Sequence, residues 1–282
     1  MKRSWWGEMK VNEVGVDAAA GESFSRFAVS PSRHFPLLFF ALCLVLVSLS
    51  CGGGKRITAD KIMWKGEVQD VDEQGTDERR NEPVIYVALG DSTGAGVGAR
   101  KGGGYVARVF ERIERVRPTS RLVNLCVSGA TTADVLRSQV ARVAEARPTL
   151  ITLGIGINDV TRNLPVEQFG RNYEQVIVAL KEKAPDAAIV VTGMPDISFA
   201  PAVPEFLRDE ARRRIVAYNE RVRDIAAHHQ LRFIDAYEKS HQLIPQHPEF
   251  FSPDNFHPSD EGYELWAVLM WPTIKEAIGA SE

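Results

Sequence analysis

Val84-Ile85-Tyr86-Val87-Ala88-Leu89-Gly90-Asp91-Ser92-Thr93-Gly94 runs from an unbroken apolar stretch straight into a glycine-rich turn that carries a serine. Six consecutive apolar residues are short for a helix and suit a strand buried on both faces, as in a parallel sheet. A strand that delivers a serine into such a turn holds a nucleophile at the carboxyl edge of an α/β sheet. Glycines at 90, 94, 96 and 98 open backbone conformations closed to other residues and let a substrate come close. A lone serine in this place reads first as a turn or N-cap residue, so the reading needs a partner elsewhere in the chain.

Outward from this strand the pattern repeats. Apolar runs at 84–89, 121–126, 150–153, 187–192 and 232–234 predict five strands. Between them 105–116, 132–146, 166–183 and 206–229 have helical spacing, and 259–277 closes the chain. The fourth helix is the clearest, with Leu207, Ala211, Ile215, Tyr218, Val222 and Ile225 on one face. Strand–helix alternation predicts a doubly wound parallel α/β sheet with right-handed crossovers. Ligands bind such sheets outside the carboxyl ends of the strands.

The partner lies near the C-terminus, in Ser252-Pro253-Asp254-Asn255-Phe256-His257-Pro258. A carboxylate three residues before a histidine can hold the Nδ1 proton and leave Nε2 free to act as a base toward Ser92. After the second strand comes Gly129, whose backbone N–H suits a developing oxyanion. After the third comes Gly154-Ile155-Gly156-Ile157-Asn158-Asp159, where the Asn158 amide is a neutral donor of the same kind. Taken singly, Gly129 reads as a turn and Asn158-Asp159 as a helix cap. His228, His229, His241 and His247 lack a comparable setting and are expected at the surface. No His, Cys, Asp and Glu cluster has metal-ligand spacing, so neither metal nor other cofactor is expected.

These four blocks resemble the SGNH (GDSL-type) hydrolase family in order and spacing, from Val84 to the C-terminus. The resemblance implies a five-stranded, flavodoxin-like, three-layer α/β/α fold and a serine esterase. It makes Ser92 the nucleophile, His257 the general base and Asp254 its orienter. The Ser92 amide, Gly129 and Asn158 would form the oxyanion hole. Thr93 stands where the family commonly has leucine, which bears on subfamily rather than chemistry. Implied substrates are small-molecule or lipid esters, including lysophospholipids, acyl thioesters and acetyl groups on sugars. The loops 194–205 and 237–251, with Phe199, Phe206, Leu243, Phe250 and Phe251 in or beside them, lean toward an apolar acyl group.

One rival rests on Gly94-Ala95-Gly96-Val97-Gly98-Ala99, which fits the dinucleotide fingerprint after a strand. That fold needs a carboxylate at the end of its second strand to hold the ribose, and Asn124-Leu125-Cys126-Val127 offers none. With a net charge of −3, nothing in the chain is basic enough to suggest nucleic-acid binding through phosphate contacts. Cys126, in an apolar run, reads as a buried structural thiol.

The N-terminal part differs in composition. The 15 residues 35–49 are almost wholly apolar and follow Arg26 and Arg33. This is short for a spanning helix, which needs roughly 20 apolar residues, and suits a secretory signal. Cys51 follows, then Gly52-Gly53-Gly54, and the arrangement resembles a bacterial lipoprotein cleavage site with Cys51 lipidated. Ser48 stands where that pattern usually has leucine. The expected organisation is a signal peptide of lipoprotein type over 1–51, a flexible linker over 52–83 and a hydrolase domain over 84–282. The protein is then exported to the cell envelope and held at a membrane surface by a lipid anchor.

Overall fold

A computed structural model describes residues 82–280. The signal peptide, Cys51 and the linker up to residue 81 lie outside the described residues. Five parallel strands form one sheet: β1 (Ile85–Gly90), β2 (Arg121–Asn124), β3 (Leu150–Gly154), β4 (Ala188–Thr192) and β5 (Arg232–Ile234). Their order is β2-β1-β3-β4-β5, the flavodoxin-like order, with the direction of winding reversing between β1 and β3.

The strands are apolar throughout because both faces are covered. Val87 and Leu89 point into one core with Ile151, Leu153, Ile189 and Val191. Tyr86 and Ala88, the alternate positions, point into the other with Leu150 and Val190. In chain order the helices are α1 (Ser92–Ala95), α2 (Tyr105–Val116), α3 (Thr132–Asp134), α4 (Val143–Ala146), α5 (Ile157–Thr161), α6 (Val166–Lys183), α7 (Arg208–His228), α8 (Ala236–Leu243) and α9 (Asp260–Ala277). Helices α4, α6 and α7 cover the first face, and α2 and α9 the second. Fully burying one Val, Leu or Ile side chain is worth about 1.5–3 kcal/mol, so these two layers carry the stability of the fold.

The helix expected over 132–146 is not continuous. Between α3 and α4 the chain widens into a π-helical turn, Val135–Gln139, and then tightens into a 3-10 turn, Val140–Arg142. The widened turn ends on Gln139, whose side chain reaches the last residue of β1. Gln139 Oε1 accepts from Gly90 N at 2.9 Å and its Nε2 donates to Gly90 O at 2.8 Å. A buried amide that satisfies both backbone groups at the strand end offsets the irregular helix. Helix α8 lies in a stretch read as loop; Asp235 caps it by accepting from Glu238 N at 3.2 Å. No helix among the described residues is long and apolar enough to cross a membrane.

Candidate active site

β1 ends at Gly90 beside Gly154 of β3, and Ser92 begins α1 two residues later. Asp91 caps this short helix, accepting from Thr93 N at 3.0 Å and from Thr93 Oγ1 at 2.8 Å. Asn124, at the end of β2, ties the turn to the neighbouring strand through Nδ2 and Gly94 O at 2.8 Å. Gly94 must lack a side chain, because a Cβ there would stand 2.3 Å from Cys126 Sγ. Cys126 is thus a half-buried packing group under the serine turn, and burial pushes its thiol up.

The C-terminal loop comes to this turn from α9's side. Ser92 Oγ lies 2.9 Å from His257 Nε2, and His257 Nδ1 lies 2.7 Å from Asp254 Oδ2. Ser92 and His257 are 7% and 6% exposed, so the pair sits out of bulk water. The loop fastens itself: Asp254 Oδ1 accepts from His257 N at 2.8 Å, Phe256 N at 2.9 Å and Ser252 Oγ at 2.8 Å. Partial burial pushes the Asp254 carboxyl up, but these donors and His257 outweigh it and bring it down to about 2. Gly98 runs beneath the loop at φ 91°, where an added Cβ would meet Pro258 O at 2.6 Å and His257 Cβ at 2.9 Å.

Gly129 and Asn158 lie on the loops after β2 and β3. Asn158 Nδ2 donates to Ala130 O at 2.9 Å, which leaves its second amide hydrogen for a ligand, and Arg162 donates to Gly129 O at 2.8 Å. The Ser92 and Gly129 backbone N–H groups have no acceptor among the described residues. Beneath them Asp159, fully buried, accepts from Thr132 N at 3.0 Å and Thr132 Oγ1 at 2.6 Å, and burial raises its carboxyl to about 6. Asp159 therefore positions the loop after β2; its pairing with Thr132 spans 27 residues and leaves no local signal in the sequence.

Ser92 and His257 open onto a cleft lined by Ile157, Ile197, Ile244, Phe250, Phe251 and Leu269 among others. Both loops expected to shape the pocket contribute, through Pro195–Ile197 and through Ser240, Ile244 and Phe250. Phe199 instead lies under Arg212, and Phe206 is 78% exposed. His241 is not a plain surface histidine. Its Nδ1 lies 2.8 Å from Oδ2 of the fully buried Asp196, where Asp196 and Ser240 form part of the cleft wall. His247 pairs with Glu249 at 2.7 Å, and His229 contacts Glu174. The glycines of the dinucleotide-like stretch serve this site: Gly96 caps α1, Gly98 supports His257, and the next helix starts only at Tyr105.

The esterase TesA of Pseudomonas aeruginosa is 31% identical over 108 residues, which cover 38% of this chain and 53% of that protein. An acetylxylan esterase of Geobacillus stearothermophilus is 28% identical over 173 residues, covering 59% of this chain and 78% of that protein. The chain thus spans about half the length of the first relative. The crystal structure of TesA superposes with a TM-score of 0.57 at 22% identity, covering 68% of this chain and 98% of that one, a likeness of fold. The model of the GDSL-like lipase/acylhydrolase family matches residues 88–265, from the middle of β1 into α9. A match over more than half of the sequence decides membership: this chain belongs to the GDSL-like lipase/acylhydrolase family.

Proposed function

We propose that the protein hydrolyses carboxylic esters by double displacement through Ser92, with an apolar acyl group seated in the cleft. The observation that carries this reading is the unbroken relay from Asp254 through His257 to Ser92, opening on an apolar cavity. His257 Nε2 takes the Ser92 proton as Oγ attacks the ester carbonyl carbon. The carbonyl oxygen becomes an oxyanion, held by the N–H groups of Ser92 and Gly129 and by the Asn158 amide; one such donor is worth about 10²–10³ in rate. The intermediate collapses, His257 returns the proton to the leaving alcohol, and Ser92 is left acylated. Water, deprotonated by His257, attacks the acyl-enzyme and frees the acid and Ser92. Asp254, ionised, holds the Nδ1 proton throughout.

The cleft wall of Ile, Leu and Phe side chains favours a fatty acyl group over an acetyl group, because each methylene buried there gains about 0.8 kcal/mol. The test is hydrolysis of p-nitrophenyl esters from acetyl to palmitoyl by the wild type and Ser92→Ala. Turnover efficiency should rise with chain length beyond acetyl, and Ser92→Ala should lose at least about 10⁴ in kcat. Unchanged turnover in the variant removes Ser92 from the mechanism. A profile that peaks at acetyl moves the substrate to acetyl groups on cell-envelope carbohydrate.

The apolar stretch 35–49 followed by Cys51 supports export and lipidation, which would hold the hydrolase at the envelope membrane beside lipid esters. Growth with a fatty-acid probe should label the wild type and spare Cys51→Ser. No label on either protein would leave plain secretion or a signal anchor.

A further inference from the structure

A second group of chemistry-bearing side chains lies outside the hydrolytic machinery. Glu174 projects from α6, and His228 and His229 close α7. His229 Nε2 contacts Glu174 Oε1 although 55 positions separate them in sequence. The His228 and His229 rings meet edge to face with centroids 5.0 Å apart, and one ligand atom from each of the three residues lies within 4.8 Å of the others. His229 and Glu174 side chains are 13% and 34% exposed, while His228 faces solvent.

We propose that Glu174, His228 and His229 form a binding site for a divalent transition-metal ion, zinc above all, that clamps α6 to α7. Two imidazoles and one carboxylate suit borderline-soft ions, whereas calcium and magnesium require a shell of oxygens. Zinc bonds of about 2.0–2.2 Å place tetrahedral ligand atoms roughly 3.3–3.5 Å apart. Glu174 and His229 stand closer than that and open to admit the ion, while the solvent-facing His228 closes on them from within 4.8 Å. Binding is a ligand exchange in which no electron moves. Waters leave the ion, the His229 Nε2 proton passes to Nδ1 or to solvent, and Nε2, Glu174 and His228 take the vacated positions. A fourth position remains for water. Only Gln230 and Leu231 separate His229 from β5, so the group sits at the amino edge of the sheet, opposite Ser92. Its role is therefore structural: the ion joins two helices that otherwise meet through side-chain packing in one core.

Titration calorimetry of the metal-free full chain with zinc chloride, paired with thermal melts, tests this. One equivalent should bind with a Kd of about 10 μM or tighter, and zinc at a hundredfold excess over Kd should raise Tm by about 5 °C. Glu174→Gln, which keeps a hydrogen-bond acceptor for His229, and His228→Ala should each weaken binding at least about tenfold. The double variant His228→Ala/His229→Ala should lose it. Circular dichroism and unchanged ester hydrolysis verify that these variants fold. Ser92→Ala should bind as the wild type does. Absence of binding at 100 μM zinc (about ten times the expected Kd), or wild-type binding by all three ligand variants, overturns the proposal.

Discussion

Asp91 and Asp254 build the same local turn on either side of the Ser92–His257 pair and are driven in opposite directions. Each accepts the backbone N–H two residues on, Thr93 for Asp91 and Phe256 for Asp254. Each also accepts a neighbouring hydroxyl, from Thr93 Oγ1 and Ser252 Oγ respectively. Asp91 is buried at the end of β1, and burial raises its carboxyl above the ordinary range despite those donors. Asp254 lies near solvent with an imidazole and a further backbone donor, and its carboxyl falls to about 2. The difference teaches that turn chemistry sets the backbone while burial and the count of donors set the charge. Of the two, only Asp254 holds the His257 imidazole by a hydrogen bond.

Among changes to the two aspartate turns, the largest effect should come from Asp254→Asn. An amide keeps the turn through its oxygen but presents either a donor or a neutral acceptor to His257 Nδ1. The imidazole then adopts the wrong tautomer or loses its counter-charge as it takes the Ser92 proton. A fall of about 10³–10⁴ in kcat with KM little changed is expected in steady-state ester hydrolysis. A loss below tenfold would show that the Asp254–His257 contact is structural.

How far this contrast was legible in the sequence follows from the distance between partners. The strands were readable because parallel strands covered on both faces leave continuous apolar runs, and 84–89 and 187–192 stood within one residue of the observed strands. The serine turn and the Asp254–His257 spacing are local patterns, so they too could be read. Gln139 could not, because its two bonds to Gly90 cross 49 residues and break a helix that its own neighbours favour. Neither could Asp159 with Thr132, Asp196 with His241 or Glu174 with His229, each of which pairs across the fold. Asp91 was visible as a residue, but its burial, which separates it from Asp254, depends on the layers packed around β1.

A smaller effect should follow from Ser252→Ala. The hydroxyl is one of the donors that hold the Asp254 carboxyl low, and it is buried while Asp254 is not. Its removal leaves the bonds from Phe256 N, His257 N and His257 Nδ1 in place. A loss of about 0.5–1.5 kcal/mol, at the lower end because water can replace the donor, corresponds to a rate reduced by roughly two- to tenfold. The folded-state value for Asp254 lies below the unfolded one of about 3.9, so its stabilisation is complete above pH 4 and fades as pH falls toward 2. In the variant the folded-state value moves up toward the unfolded one, so the stabilisation is smaller and its fading ends at higher pH, raising the acid-unfolding midpoint. An unshifted midpoint would remove Ser252 from the set that tunes Asp254.

Asp91→Asn should be the mildest in rate, although Asp91 adjoins Ser92. The amide oxygen can still accept from Thr93 N, so α1 keeps its cap and Ser92 its position. No hydrogen bond joins Asp91 to His257 among the described residues; the two sense each other only through charge, so the relay loses no contact. A kcat within about threefold of wild type, or 0.65 kcal/mol, is expected. The sign of the stability change separates this aspartate from Asp254. A carboxyl whose folded-state value is raised binds its proton better in the folded protein. Its contribution is therefore complete below the unfolded value near 3.9 and is lost as pH rises through the raised one. Asparagine has no proton to lose, so denaturant midpoints of the variant should decline less between pH 4 and neutrality. If Asp91→Asn instead lost activity as severely as Asp254→Asn, the buried carboxylate would belong to the chemistry, and the contrast between the two turns would be one of position alone.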